Sequence, residues 1–281
     1  MTDTGTDGAG PPGPDWWLAS DGNWYPPETK PAGRPGSETS QGPGWWLASD
    51  GRWYPPESAA MRPPTPPTRV SKGLTGTLRG FLVASAVLGA IGGLVKVNEA
   101  RTFTRVTGPS TAPVSDLTSA EDLSAGVVGL FGLAALTVVV LIIVWLYQSY
   151  KAVDAHGVAG TSWSAGWAVG GWFIPFANFV IPKLVVNEVD RISAAAVEGR
   201  LDSWRQQRTL GVANGWWVTF VIGSVLFVTG GGVSEAQLDA AVPDLDLYET
   251  GLWLQAAGLF AYGLAGFLGS TVVKSIGDRL R

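Results

Sequence analysis

An all-α integral membrane fold is what this sequence predicts: four transmembrane helices plus one Pro-broken segment that is either re-entrant or a fifth span, preceded by a disordered Pro/Gly-rich tail. Three observations carry that reading. Only 15% of the 281 residues are charged, well below the ~25% of an ordinary globular chain. From Gly80 onward long runs lack Asp, Glu, Lys and Arg, and the longer ones reach the ~20 residues that cross a bilayer as helix. Residues 1–77 hold 14 of the 19 prolines and 12 of the 38 glycines, a composition that buries too little apolar surface to offset chain ordering.

The tail, 1–77, contains an internal repeat. Residues 16–28, Trp-Trp-Leu-Ala-Ser-Asp-Gly-Asn-Trp-Tyr-Pro-Pro-Glu, return at 45–57 with 12 of 13 positions identical. Asp21-Gly22 and Asp50-Gly51 each sit between aromatic arms, the pair favoured in a two-residue type I′ hairpin because both central residues reach positive φ. Each copy is therefore expected to form a small aromatic-faced hairpin, marginal in water unless a partner covers it. The recognition candidates are Trp16, Trp17, Trp24 and Tyr25 in the first copy and Trp45, Trp46, Trp53 and Tyr54 in the second. In one reading they recruit a protein, with avidity from the linker. In the other the rings rest at the headgroup boundary. No apolar stretch with a small-residue cleavage site follows Met1, so a cleaved signal peptide is not expected.

The membrane domain is expected over 78–281, with spans at about 79–97, 126–147, 214–231 and 251–273. Arg79 and Lys96 flank the first and are expected to snorkel to the interfaces. Ser119 and Asp122 read as a capping box opening the second. Between the second and third lies 163–182, apolar but interrupted by Pro175, Asn178 and Pro182 and rich in Trp163, Trp167 and Trp172. Proline removes backbone donors and kinks a helix, so this stretch is a distorted span or a re-entrant hairpin. Charge decides the expectation. With the tail inside and 163–182 returning to its own side, 13 basic residues lie inside and 3 outside, setting aside Lys30, Arg34 and Arg52. Making the segment a span with the tail inside gives 5 against 11, contrary to the positive-inside rule. Both termini are thus expected in the cytoplasm, in a cell-membrane protein. A five-span arrangement with the tail outside, 11 against 5, stays open.

Residues 184–205 read as an interfacial helix, with Val185, Val189, Ile192 and Ala196 as its apolar stripe and Glu188, Arg191 and Arg200 toward water, or equally as a solvated connector packed on helix ends. Gly89 and Gly93, Gly166 and Gly170, and Gly263, Gly266 and Gly269 permit close helix approach, including a homo-oligomer through these faces.

Two motifs, 145–150 (Trp-Leu-Tyr-Gln-Ser-Tyr) and 163–178 (Trp-Ser-Ala-Gly-Trp through Ile-Pro-Phe-Ala-Asn), resemble the multi-pass membrane family called domain of unknown function 4328, over roughly 75–278. The Trp repeat is similar to a motif found in the tails of actinobacterial membrane proteins. The resemblance implies an architecture and brings no activity, cofactor or catalytic residue.

The function classes narrow by exclusion. With no Cys and one His, His156, metal and thiol chemistry lose their usual residues. A net charge of −4 is the wrong sign for nucleic acid. No phosphate loop, no metalloprotease motif and no intramembrane carboxylate pair occurs. The expectation is a non-enzymatic anchor or scaffold without cofactor, catalytic or metal site. It sits in the lipid bilayer, and its aromatic repeats recruit a protein partner. The alternative is a transporter or channel-like protein using Trp163, Trp167, Trp172, Pro175, Asn178 and Pro182 as a pocket or kink.

Overall fold

The computed structural model describes Gly13, residues 16–18, 24–26, 45–47, 53–54, 69–109 and 112–281. The chain divides into two units, Met1–Thr65 and Pro66–Arg281. In the first unit, β1 (Trp17–Leu18) pairs antiparallel with β2 (Trp24–Tyr25), and β3 (Trp46–Leu47) with β4 (Trp53–Tyr54). Trp17 lies opposite Tyr25 and Leu18 opposite Trp24, and the second copy repeats this with Trp46 opposite Tyr54 and Leu47 opposite Trp53. Both hairpins thus share one register. The Asp-Gly pairs themselves, and most of the stretch expected to be disordered, lie outside the described residues.

The second unit consists of helices α1 (Lys72–Thr107), α2 (Val114–Asp154), α3 (Trp167–Gly170), α4 (Ile181–Val197), α5 (Gly211–Leu238) and α6 (Leu245–Arg279), with 3₁₀ turns at Ala177–Phe179 and Leu201–Gln206. Four of them, α1, α2, α5 and α6, are long and apolar enough to cross a membrane. All four outrun their charge-free cores. At about 1.5 Å per residue, the 41 residues of α2 reach about 60 Å, twice the ~30 Å hydrocarbon core.

Local chemistry sets the ends. Ser71 caps α1, its Oγ accepting from Leu74 N at 3.4 Å. Asp244 caps α6, accepting from the backbone of Asp246 and Leu247 at 3.0 and 3.1 Å. The capping box expected at Ser119 is corrected, since α2 starts after Pro113 and Ser119 sits inside it, donating to Ser115 O at 2.9 Å. Lys96 pairs with Glu99 one turn on at 2.9 Å, both side chains largely buried.

Helix α6 is the centre of the bundle and the one most covered by protein; it packs against α1 and α5, while α2 leans chiefly on α1 and is the least covered. The α1–α6 approach is backbone to backbone. A Cβ on Gly89 would lie 2.9 Å from Gly263 N, and one on Gly266 would lie 2.7 Å from Leu82 O. Gly93 and Gly269 likewise face Phe260 and Trp216. The glycine faces of α1 and α6 are therefore used inside the chain, whereas a Cβ on Gly170 would meet nothing within 4 Å.

The expected interfacial helix is also corrected. Instead of 184–205, α4 runs Ile181–Val197 and stops because Gly199 takes φ +65°, with Gly199 N donating to Ala196 O and Arg200 N to Ala195 O, a Schellman close. Its stripe of Val185, Val189 and Ile192 is fully buried against other helices of the same chain. Glu188, expected toward water, is buried as well.

Candidate functional site

Two acids on α4 organise the end of the bundle where α2 finishes and α5 begins. Positions 188 and 190 are two residues apart, about 200° around a helix, so the carboxylates point to different neighbours. Glu188 Oε1 lies 2.7 Å from the hydroxyl of Tyr150, a fully buried residue near the end of α2, and accepts from Trp163 N at 3.2 Å, while its Oε2 accepts from Ser162 N at 2.8 Å. The same Tyr150 hydroxyl lies 2.5 Å from Trp163 O. Asp190, 1% exposed, takes Nη2 of Arg279 at 2.6 Å on Oδ1 and Leu210 N at 2.7 Å on Oδ2, while Arg279 Nη1 also donates to Asp190 O at 2.9 Å. Burying a carboxylate is costly unless it is hydrogen-bonded or paired: Asp190 is both, and Glu188 is held by hydrogen bonds alone.

This clamp settles the path of 163–182. Its first residue and Glu188, just past its last, meet at one tyrosine hydroxyl. A spanning segment would hold its ends about 30 Å apart. The chain therefore folds back. Inside the turn Trp163 and Trp167 pack edge to face at 5.7 Å, Trp172 packs on Trp217 of α5 at 6.3 Å, and Trp217 Nε1 donates to Phe179 O at 2.7 Å. The tip after Pro175 is strained, with Phe176 at φ +63° and its side chain 87% exposed.

The candidate residues are only partly brought together. Pro182 does not kink anything: it lies in the first turn of α4, where a missing N–H does no harm. Asn178 donates its backbone N–H to Ile174 O at 3.0 Å, but its Oδ1 is buried without a hydrogen-bond partner among the described residues. Trp172 lines a cavity of about 470 Å³ between α1, α2, α5 and α6; Trp163, Trp167, Pro175 and Asn178 do not. In the tail, Trp16, Trp24, Tyr25 and Trp45 are half-buried.

Beside the clamp, burial lowers Lys183 from the usual lysine range to about 8, with Arg191 adding to the effect and Asp190 opposing it. Its ammonium donates to Asn187 Oδ1.

Sequence reasoning missed Tyr150, Glu188, Asp190 and Arg279 as a unit. One signal was present: two acids on the otherwise apolar α4 need partners, and one of the few basic residues near the C-terminus supplies one.

No curated protein and no solved structure matches the chain. The family profile of the domain of unknown function DUF4328 matches residues 110–278, which covers α2 through nearly all of α6 and leaves α1 and the aromatic repeats ahead of it. By that match, over a bundle with four membrane-crossing helices, the chain belongs to the DUF4328 family of multi-pass membrane proteins.

Proposed function

We propose that this is a non-enzymatic membrane anchor that recruits a protein partner through two aromatic hairpins on a cytoplasmic tail. The observation that carries it is the shared register: two segments 29 residues apart pair Trp with Tyr and Leu with Trp at the same backbone positions. Generic adhesion to headgroups needs no such duplicate. Two near-identical weak units on one chain bind a two-site partner with an avidity gain of about 10²–10⁴ over one unit.

The test replaces Trp16, Trp17, Trp45 and Trp46 by Ala in the full-length chain and compares crosslinked partners in living cells. Loss of a specific partner from the quadruple variant, with intermediate capture when one repeat is altered, supports the reading. An unchanged partner set removes it.

The cytoplasmic placement of the tail rests on the basic residues, 13 against 3. Single cysteines at the exposed positions Gln206 and Ala241, added to a chain that has none, report it through a membrane-impermeant maleimide. Labelling of intact cells at Ala241→Cys and protection at Gln206→Cys is the expected pattern, and the reverse overturns it.

A second reading, passive transport of a small molecule along the folded-back segment, is favoured by one observation: the unpartnered, buried Oδ1 of Asn178. Asn178→Leu should then abolish flux in vesicles at unchanged expression, and unaltered flux eliminates this reading.

A further inference from the structure

The cavity between α1, α2, α5 and α6 stands apart from the clamp and from the tail. Its walls are apolar and aromatic, among them Phe131 of α2, Phe220 of α5 and Tyr262 of α6, and no ionisable Asp, Glu, Lys, Arg or His lines it. At about 470 Å³ it falls in the ~300–1,000 Å³ range of small-molecule pockets. Leu136 and Val139 line it yet remain exposed, so it opens through the apolar flank of α2, the helix least covered by protein. In a bilayer that flank faces hydrocarbon, and whatever enters must be soluble there.

Among the lining residues, two carry a buried polar atom with no hydrogen-bond partner among the described residues. Ser85 is 6% exposed, and its Oγ has no hydrogen-bond partner among the described residues. A helix serine ordinarily satisfies its hydroxyl on the carbonyl one turn back, as Ser119, Thr137, Thr219 and Ser224 do. Ser124 and Ser149 are also unpartnered, but of the three only Ser85 lines the cavity. Trp172 Nε1 is likewise buried and unpartnered, whereas Trp217 Nε1 finds Phe179 O. A buried donor with no acceptor is costly in a medium without water. An indole N–H only donates, and a serine hydroxyl can. The group both are suited to meet is an acceptor.

We propose that this cavity binds one uncharged, lipid-soluble molecule that carries a carbonyl, with Ser85 and Trp172 as the donors to it. The apolar walls hold its chain, and the missing ionisable groups exclude charged headgroups. A lipid ester and a quinone share that chemistry, and competition separates them.

The test uses the full-length protein in lipid nanodiscs and a methyl palmitate carrying a diazirine in its chain. Saturable photolabelling is expected on peptides of α2 and α5. Unlabelled hexadecane, which has no acceptor, should compete at least about fivefold more weakly than methyl palmitate, the factor one hydrogen bond contributes. If an alkyl benzoquinone competes better than methyl palmitate the natural ligand is quinone-like, and the opposite order assigns a lipid ester. Gly132 lines the cavity with open space where a side chain would go, so Gly132→Leu should fill it and abolish saturable labelling. Gly129→Leu, in open space but off the lining, should leave labelling intact. Ser85→Ala with Trp172→Phe should erase the advantage of methyl palmitate over hexadecane. Labelling that never saturates, or is equal in Gly132→Leu and Gly129→Leu, overturns the site. Equal competition by hexadecane and methyl palmitate in the unaltered protein overturns the carbonyl.

Discussion

Arg279 and Asp190, 89 positions apart in the chain, meet at 2.6 Å and tie the last turn of α6 to the middle of α4. Asp190 is essentially inaccessible and Arg279 is largely covered, its side chain 17% exposed. Removing one partner of a buried pair leaves the other charge uncompensated, at about 3–5 kcal/mol. Arg279→Ala should therefore lower the unfolding midpoint in detergent sharply, and the paired change Asp190→Leu with Arg279→Leu should recover much of the loss. Equal destabilisation by the single and double variants would mean the ion pair is not what joins these helices.

Tyr150 offers a finer probe of the same end. Tyr150→Phe keeps the buried ring and deletes only the hydroxyl that contacts Glu188 and Trp163 O. A loss of about 1–3 kcal/mol is expected, the cost of leaving buried polar groups short of a partner. Limited proteolysis should show the extra cleavage between residues 160 and 180. A cleavage pattern identical to that of the unaltered chain would detach the hydroxyl from the folding-back of this segment.

The glycines divide into those that touch backbone and those that touch nothing. Gly266→Ala places a methyl 2.7 Å from Leu82 O and should cost about 1–3 kcal/mol through overpacking. Gly129→Ala, facing open space, should be neutral or gain up to about 1 kcal/mol from helix propensity. Thermal unfolding of the two variants side by side checks the contrast, and similar midpoints would contradict it.

Lys183 gives a pH signature. Burial brings it to about 8 in the folded chain, against 10.5 for the free side chain. Between those values the unfolded chain holds a proton that the folded chain has released, so this group makes stability rise with pH across the window. Below about 8 the lysine is charged in both states and its burial penalty is fully present. Reaction of Lys183 with an amine reagent should follow a midpoint near 8, and Lys183→Met should flatten the rise in stability. A midpoint in the ordinary lysine range would refute both.

The four spans were legible because their signal is an absence, and the loss of charge after Gly80 needs no knowledge of neighbours. What packs on what was not legible. The stripe of Val185, Val189 and Ile192 has the same periodicity whether it faces lipid or protein, and only the arrival of α2 and α6 decides for protein. Glu188 looked like a water-facing charge because the amides that hydrogen-bond it lie 25 and 26 positions earlier, beyond the reach of any local pattern on α4. The hairpins were legible from the repeat, while their register depends on backbone turn geometry that Asp-Gly alone does not fix. The cavity is a gap between helices, and no local pattern encodes a gap.

The close approach of Gly89 to Gly263 joins α1 to α6, 174 positions later in the chain. During synthesis α1 enters the bilayer with a glycine face that has nothing to meet until α6 has been translated. The bundle therefore closes late, after α2 and α5 are already in place. A chain stopped before Leu245 would leave α1 and α5 each without the helix they share, and such a product should be recognised and degraded rather than accumulate as a smaller membrane protein.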